Sequence, residues 1–480
     1  MPPPASPSAL EAERRGIIEV DRLLQELERN LEGARSSLEQ QEALLAQLKV
    51  YGRNVKLAGP IFTKKGIEVL SKYGLDNDSL STSHEALRCL ANAFLLNEPS
   101  RQTFVDLGFA PKAAQRLEAD NRDDEFLISR ILFLLTYDTK ISFEELVEQN
   151  ELTGSINKHI ARHAKNIADT QRSTSQIDPM ESAAMAETLK LLFNITFYYP
   201  SLIPRFTPAI ERLIDLLLHY PLPTPPLQPP LTHMINALLN LDLEAAEKST
   251  ATSSEAKNTP LFPEANPEKV VDRLISVFDK ALRDQPESDL DEVAAPLCTL
   301  IRRAYELANS QVKTRMRRML LPQEKDRDQP LGKGDSLSSH LLRMSCSPAL
   351  PMLRENISSL LFELSDKDAN KFVRNIGYGY ASGFLTSHNI EIPGDATEAN
   401  SIGNEGELRG TTNINPVTGQ RLSAEGRDGP GGPEMSEEEK EREAERLFVL
   451  FERLRATGVV DVKNPVQQAV DEGRFEELPD

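Results

Sequence analysis

The strongest constraint on this chain is a segment that it repeats. EALRCLANAF at 85–94 places Leu87, Leu90, Ala91 and Phe94 on one helical face. ETLKLLFNIT at 187–196 aligns with it without a gap. Glu187, Leu189, Lys190, Leu192 and Asn194 there match Glu85, Leu87, Arg88, Leu90 and Asn92. THMINALLNLDL at 232–243 is a third copy, with Ile235, Leu238 and Asn240 in the same slots, and weaker copies lie at 129–138, 296–304 and 358–366. The slot after the apolar stripe is then Asn92, Thr136, Asn194, Asn240, Arg302 and Glu363. The shorter spacings fit the roughly 40–47 residues of an armadillo or HEAT unit, and the longer ones contain insertions. Alternating Val/Ile/Thr runs are nearly absent. The pattern predicts an all-α solenoid, because one helix pair cannot bury its stripe alone and neighbours must stack into a continuous core. Thr82 and Glu85 are spaced as a capping box for the first copy.

Stacking leaves one helix of each unit lining a concave face. A polar residue recurring at one slot of that helix forms a ladder along the groove. Its Asn amides either pair with a bound peptide backbone or are simply exposed or locally capped.

The periodicity sets the domain limits. Residues 1–12 read as a disordered N-terminus and 13–389 as the solenoid. Ser/Thr/Pro/charge-rich stretches near 169–181, 221–230, 246–268 and 321–336 read as disordered insertions. PLPTPPLQPP at 221–230 cannot be helical, because its prolines lack N–H groups and clash with the preceding turn. Residues 390–434 are Gly/Pro/Asn/Thr/Glu-rich and read as a flexible linker. Residues 435–480 read as a C-terminal amphipathic helix and tail. Ser436 and Glu439 form a capping box there, and Ala444, Leu447, Phe448, Phe451 and Leu454 make one apolar stripe. That stripe is buried either on its own solenoid or in a partner's groove. Asn464 and Pro465 start a short last helix.

Charge and chemistry exclude other roles. The chain has 55 Lys plus Arg against 74 Asp plus Glu, a net charge of −19. A nucleic-acid binder or an anionic membrane surface calls for the opposite sign. No stretch approaches the ~20 apolar residues of a membrane span. MPPPASPSALEAERR lacks the apolar region of a secretory signal. Three scattered cysteines, Cys89, Cys298 and Cys346, give neither a disulfide framework nor a thiolate zinc site. The expected compartment is reducing. His159 and His163 are four apart, but lack the Glu of H-E-x-x-H and a third ligand. Gly377 and Gly379 in IGYGYASG resemble a dinucleotide loop, yet Ser382 stands where the third Gly belongs and no strand precedes them. LGKGDS at 331–336 lacks phosphate-loop spacing. The expectation is binding rather than covalent chemistry, with no cofactor and no metal.

FVRNIGYGYASGFL at 372–385, INPVTG at 414–419, the helices LRCLAN and LKLLFNIT, and MSEEEKEREAERLFVLFERL at 435–454 resemble the synembryn family. The similarity runs from roughly residue 40 to 457, and ATGVVDVKNPVQQAVDEGRFEEL looks most like fungal members. The resemblance implies a right-handed armadillo/HEAT superhelix of about nine repeats. It also implies a chaperone and non-receptor guanine nucleotide exchange factor for heterotrimeric G-protein α subunits. In such proteins the concave face grips the Gα C-terminal helix. By matching position, Lys49, Arg53, Asn92, Lys313 and Arg317 belong to that groove, joined by the ladder residues Asn194 and Asn240. The resemblance further implies that the terminal helix, through Leu447, Phe448, Phe451 and Leu454, contacts the nucleotide-switch region. The expected partner is Gα in its GDP-bound, nascent or nucleotide-free form, met by a cytoplasmic monomer recruited to the cell cortex through Gα. Thr397 and Ser401 lack the acid three residues on that marks the family's linker phosphorylation sites, which leaves Ser436 as the candidate. A scaffold or adaptor binding another helical peptide without exchange activity is the second reading. An import adaptor is disfavoured by the absence of Trp.

Overall fold

The structure, a computed structural model, describes residues 7–33, 36–173, 176–251, 259–391, 414–415 and 417–424. The chain divides into a larger unit, residues 1–406 with 416–419, and a smaller one, residues 407–415 with 420–480. In the larger unit the described residues form helices and no strand. The first are α1 (Pro7–Leu31), α2 (Leu38–Tyr51), α3 (Lys64–Leu75), α4 (Leu80–Leu96), α5 (Pro99–Asp106), α6 (Ala110–Arg116) and α7 (Arg122–Leu135). Then come α8 (Phe143–Gln149), α9 (Leu152–Ser173), α10 (Pro179–Tyr198), α11 (Ala209–His219), α12 (Leu231–Asn240) and α13 (Leu243–Ala251). The last are α14 (Lys269–Asp284), α15 (Glu287–Leu307), α16 (Ser310–Leu320), α17 (Leu337–Met344), α18 (Pro351–Leu364), α19 (Ala369–Ile376) and α20 (Tyr378–Ser387).

Two layers result, and the fold is an all-α repeat superhelix. The repeated segments supply one layer, in which α2, α4, α7, α10, α12, α15 and α18 each pack on the next. Helices such as α3, α9, α11, α14 and α16 back them. The sequence pattern follows from this placement. Helix α14 meets the core on one side and buries a single stripe, Val270, Val271, Leu274, Ile275, Val277, Phe278 and Ala281. Helix α10 has neighbours on both sides and behind. It therefore buries residues nearly all round, including Glu181, Glu187, Thr188, Asn194 and Thr196. Burying Phe278 alone contributes about 2–3 kcal/mol, whereas each buried polar group must find a partner.

Helix starts are capped. Ser37 and Gln40 form a capping box on α2, Asn121 accepts from Asp124 N at 3.0 Å on α7, and Asp178 accepts from Met180 N at 3.0 Å on α10. Each cap is worth about 1 kcal/mol. The cap of α4 is Ser79, not Thr82. Asn77 accepts from Ser79 N at 2.8 Å and turns the chain one step earlier, so Thr82 lies buried inside the first turn.

Several expected disordered stretches are ordered. Helix α1 already begins at Pro7, inside 1–12. Helices α9 and α10 narrow the 169–181 insertion to 174–178, of which 174–175 lie outside the described residues. Segment 221–230 is non-helical but held down by buried Leu227. Within 246–268, α13 runs to Ala251 and Leu261 is buried, with 252–258 outside the described residues. Segment 321–336 contains a 3-10 turn, Glu324–Asp328, and buries Arg327 and Leu331. In the last three stretches an apolar or arginine side chain finds the core, which composition averages away. Of the 390–434 linker only 390–391, 414–415 and 417–424 are described, and residues 435–480, with Ser436, Leu447, Phe448, Phe451 and Leu454, lie outside the described residues.

The GYG sequence is a helix break. Gly377 separates α19 from α20 at φ +82, a conformation open to glycine. In the smaller unit, Ile414 pairs with Arg421 in an isolated antiparallel bridge, closed by Asn415 N donating to Gln420 O at 2.7 Å.

Candidate functional site

The ladder slots meet across the inner layer, because stacking sets equivalent positions of successive helices side by side. Asn194 Nδ2 donates to Thr136 Oγ1 at 2.7 Å and is 4% exposed. Asn240 Nδ2 donates to Phe193 O at 3.1 Å. Arg302 Nη2 pairs with Glu363 Oε1 at 2.6 Å. These contacts tie α7 to α10, α10 to α12 and α15 to α18, so the amides of Asn194 and Asn240 are already engaged. Asn92 differs: its side chain is half-buried and has no hydrogen-bond partner among the described residues.

A second recurrence is electrostatic. Lys49 Nζ on α2 lies 2.5 Å from Glu85 Oε2, and Arg88 Nη1 lies 2.8 Å from Glu85 Oε1. Two inner helices on, Arg130 Nη1 lies 3.2 Å from Glu187 Oε1, and Lys190 Nζ lies 2.7 Å from Glu187 Oε2. Each glutamate is thus gripped by its own helix and by the preceding inner helix. Lys49 has this structural duty, whereas Arg53, just past α2, is exposed and has no ion-pair partner among the described residues. Lys313 and Arg317 share one ring, with Lys313 Nζ 5.4 Å from the Tyr305 centroid and Arg317 Nε 2.8 Å from Tyr305 Oη. Arg317 also pairs with Asp366. These four residues, with Glu363, line a cavity of about 430 Å³.

Beside the slots runs a file of rings that sequence reading missed. Phe133 and Tyr137 on and after α7 are 5.4 Å apart, and Tyr137 lies 6.0 Å from Tyr198. Tyr198 is 5.2 Å from Phe197, and Phe197 stacks on Phe193 at 5.9 Å. Lys190 Nζ sits 4.8 Å over Phe133. Phe197 is 58% and Tyr198 47% exposed. Phe197 and Tyr198 thus present apolar surface to solvent, with Phe133, Tyr137 and Phe193 half-buried beside them. Their signal was present in FNITFYY at 193–199, read only for its apolar stripe.

The pair His159 and His163 belongs to a buried ionic hub. Glu125, fully buried in the first turn of α7, accepts from Thr188 Oγ1 at 2.6 Å and pairs with Arg162. His163 Nε2 lies 2.7 Å from Glu125 and Nδ1 2.6 Å from Glu181. A ring with a carboxylate on each nitrogen must donate from both, so it is an imidazolium with no lone pair for a metal. Burial pulls its pKa down, but the two carboxylates outweigh that and raise it. Burial pushes Glu125 up, but His163 brings it down to about 2. His159 Nε2 donates to Leu117 O at 2.6 Å, and burial lowers its pKa.

A profile of the family described as guanine nucleotide exchange factor synembryn matches residues 44–474. This chain belongs to the synembryn family. A synembryn-like chaperone of Schizosaccharomyces pombe is 38% identical over 170 residues, 34% of this chain and 32% of that protein. The chaperone Ric-8A of Xenopus tropicalis is 24% identical over 474 residues, 91% of this chain and 85% of that one. The chaperone Ric-8 of Drosophila pseudoobscura is 28% identical over 222 residues, 45% of this chain and 38% of that one. The chain thus matches about a third of the fungal relative's length and most of the frog protein's. Two synembryn-like motifs that are distant in sequence meet in the structure: Gly379 N, in the GYG stretch, donates to Val417 O, in the NPVTG stretch, at 3.2 Å.

Proposed function

We propose that this chain is a chaperone and guanine nucleotide exchange factor for heterotrimeric G-protein α subunits, using its inner helical layer to hold the Gα C-terminal helix. The observation that carries this reading is the aromatic file of Phe133, Tyr137, Phe193, Phe197 and Tyr198. It offers an apolar helix face a rigid surface, as amphipathic helices require. Arg53, with no ion-pair partner among the described residues, and half-buried Asn92 add a charge and an amide on the same layer. Lys313 and Arg317, on the backing helix α16, supply further positive charge for the carboxylate that ends the bound helix, which would replace Asp366 on Arg317. Leu447, Phe448, Phe451 and Leu454 are assigned by resemblance to the nucleotide-switch region.

Exchange then needs no acid, base or nucleophile. A partner that prefers empty Gα weakens nucleotide binding by the same factor that nucleotide weakens the partner. A coupling of about 4 kcal/mol corresponds to roughly a thousandfold. Holding the empty state also suits a chaperone that keeps nascent Gα until GTP arrives. The test compares binding of this chain to Gα loaded with GDP and Gα emptied of nucleotide. Tighter capture of the empty form is expected. Equal affinity favours the scaffold reading.

A further inference from the structure

We propose that Val417, Thr418 and Gly419 form a latch that closes the α19–α20 junction, with Arg327 as its keeper. The break at Gly377 leaves two sets of backbone groups without helical partners: the last carbonyls of α19 and the first N–H groups of α20. Arg327 serves the first set, donating from Nη2 to Asn375 O at 2.9 Å and Arg374 O at 3.2 Å. A cation there also suits the negative end of the α19 dipole. The strap serves the second set, with Val417 O accepting from Gly379 N at 3.2 Å. The two are joined by Arg327 Nη1, which donates to Gly419 O at 2.9 Å, and by Leu331 N, which donates to Thr418 O at 3.1 Å.

The fit is tight on both sides. A Cβ on Gly377 would stand 2.9 Å from Val417 O, and one on Gly419 would stand 2.3 Å from Leu331 Cδ1. Gly419 also has φ +67. The latch resets the covalent tether of the C-terminal segment. Counted from Ile390, the chain to Ser436 could extend about 160 Å; counted from Gly419 it extends at most about 60 Å. Closure shortens the lead and opening lengthens it.

Two variants of the full chain test this from opposite sides. Gly419→Val ejects the strap without touching the helices. Arg327→Gln removes the keeper and leaves the strap sequence intact. Hydrogen exchange of the peptides containing Leu331 and Gly379 should speed up by about tenfold or more in both, while α10 peptides stay unchanged. A dye pair on exposed Cys346 and on Ser436→Cys, Cys89 and Cys298 being buried, should report a longer and broader distance distribution in both variants. Wild-type exchange at Leu331 and Gly379 in Gly419→Val overturns the latch, whatever happens to Arg327→Gln. Faster exchange with an unchanged distance distribution overturns it too, leaving a plain helix cap.

Discussion

Asn194 and Thr136 stand 58 residues apart in the chain, in the same slot of successive inner helices, and the amide of one donates to the hydroxyl of the other at 2.7 Å. The repeat that makes a ladder also brings its rungs together. A polar slot buried between stacked helices is then most readily satisfied by its own copy next door. Arg302 and Glu363 repeat the arrangement with charges.

Asn194→Ala removes that tie. The expected loss is about 0.5–1.5 kcal/mol of unfolding free energy, because the half-buried Thr136 hydroxyl loses its donor. Thr136→Val in the same background should then add little. Urea titrations of the two single variants and the double variant measure the coupling. Fully additive losses would mean the contact contributes nothing.

Arg53 and Lys49 separate binding from architecture. Arg53→Glu should weaken Gα capture at an unchanged melting temperature, since the side chain has no ion-pair partner among the described residues. Lys49→Glu sets two carboxylates together at Glu85 and should lower the melting temperature as well. Capture by Arg53→Glu that matches the wild type removes Arg53 from the surface.

Phe197→Ala and Tyr198→Ala are surface truncations, expected to change stability by less than about 0.5 kcal/mol. If the ring file is the docking surface, each should weaken Gα capture about tenfold or more. Titration calorimetry against emptied Gα reads the affinity. Wild-type binding by the Phe197→Ala/Tyr198→Ala double variant would remove the file from the interface.

The hub gives stability a two-sided pH dependence. Glu125, ordinarily at 4.5, is drawn down to about 2 by His163, although burial opposes it. Its contribution is complete above pH 4.5 and is lost as the pH falls toward 2. His159, lowered by burial, steepens the acid side below pH 6.5, where only the unfolded chain takes its proton. His163 is raised above 6.5 by Glu125 and Glu181 against the pull of burial. Its contribution is complete below pH 6.5 and is lost as the pH rises through the folded value. His163→Gln should flatten the alkaline decline of the urea midpoint. An unchanged alkaline slope would show that His163 is not its source.

The helical repeat was legible from Leu87, Leu90 and Phe94 and their copies, because an apolar stripe must be spelled out in every unit. What each slot does was not legible. Asn92, Asn194 and Asn240 look alike in sequence, yet only stacking decides which amide is taken. Arg327 was hidden inside a charged stretch, since one arginine among QEKDRDQP gives no hint that it caps a distant helix. Glu125 likewise reads as a first-turn acid, favourable at a helix start in its own right. Its partners Arg162, His163 and Thr188 lie 37 to 63 residues away.

Stacked units ordinarily come apart one boundary at a time, peeling inward from whichever end loosens first. Here peeling meets a rivet. To pass α7, α9 and α10 it must free a buried carboxylate from Arg162, His163 and Thr188 at once. Parting that boundary therefore has to strip one buried carboxylate of three polar contacts together, where a purely apolar boundary gives way contact by contact.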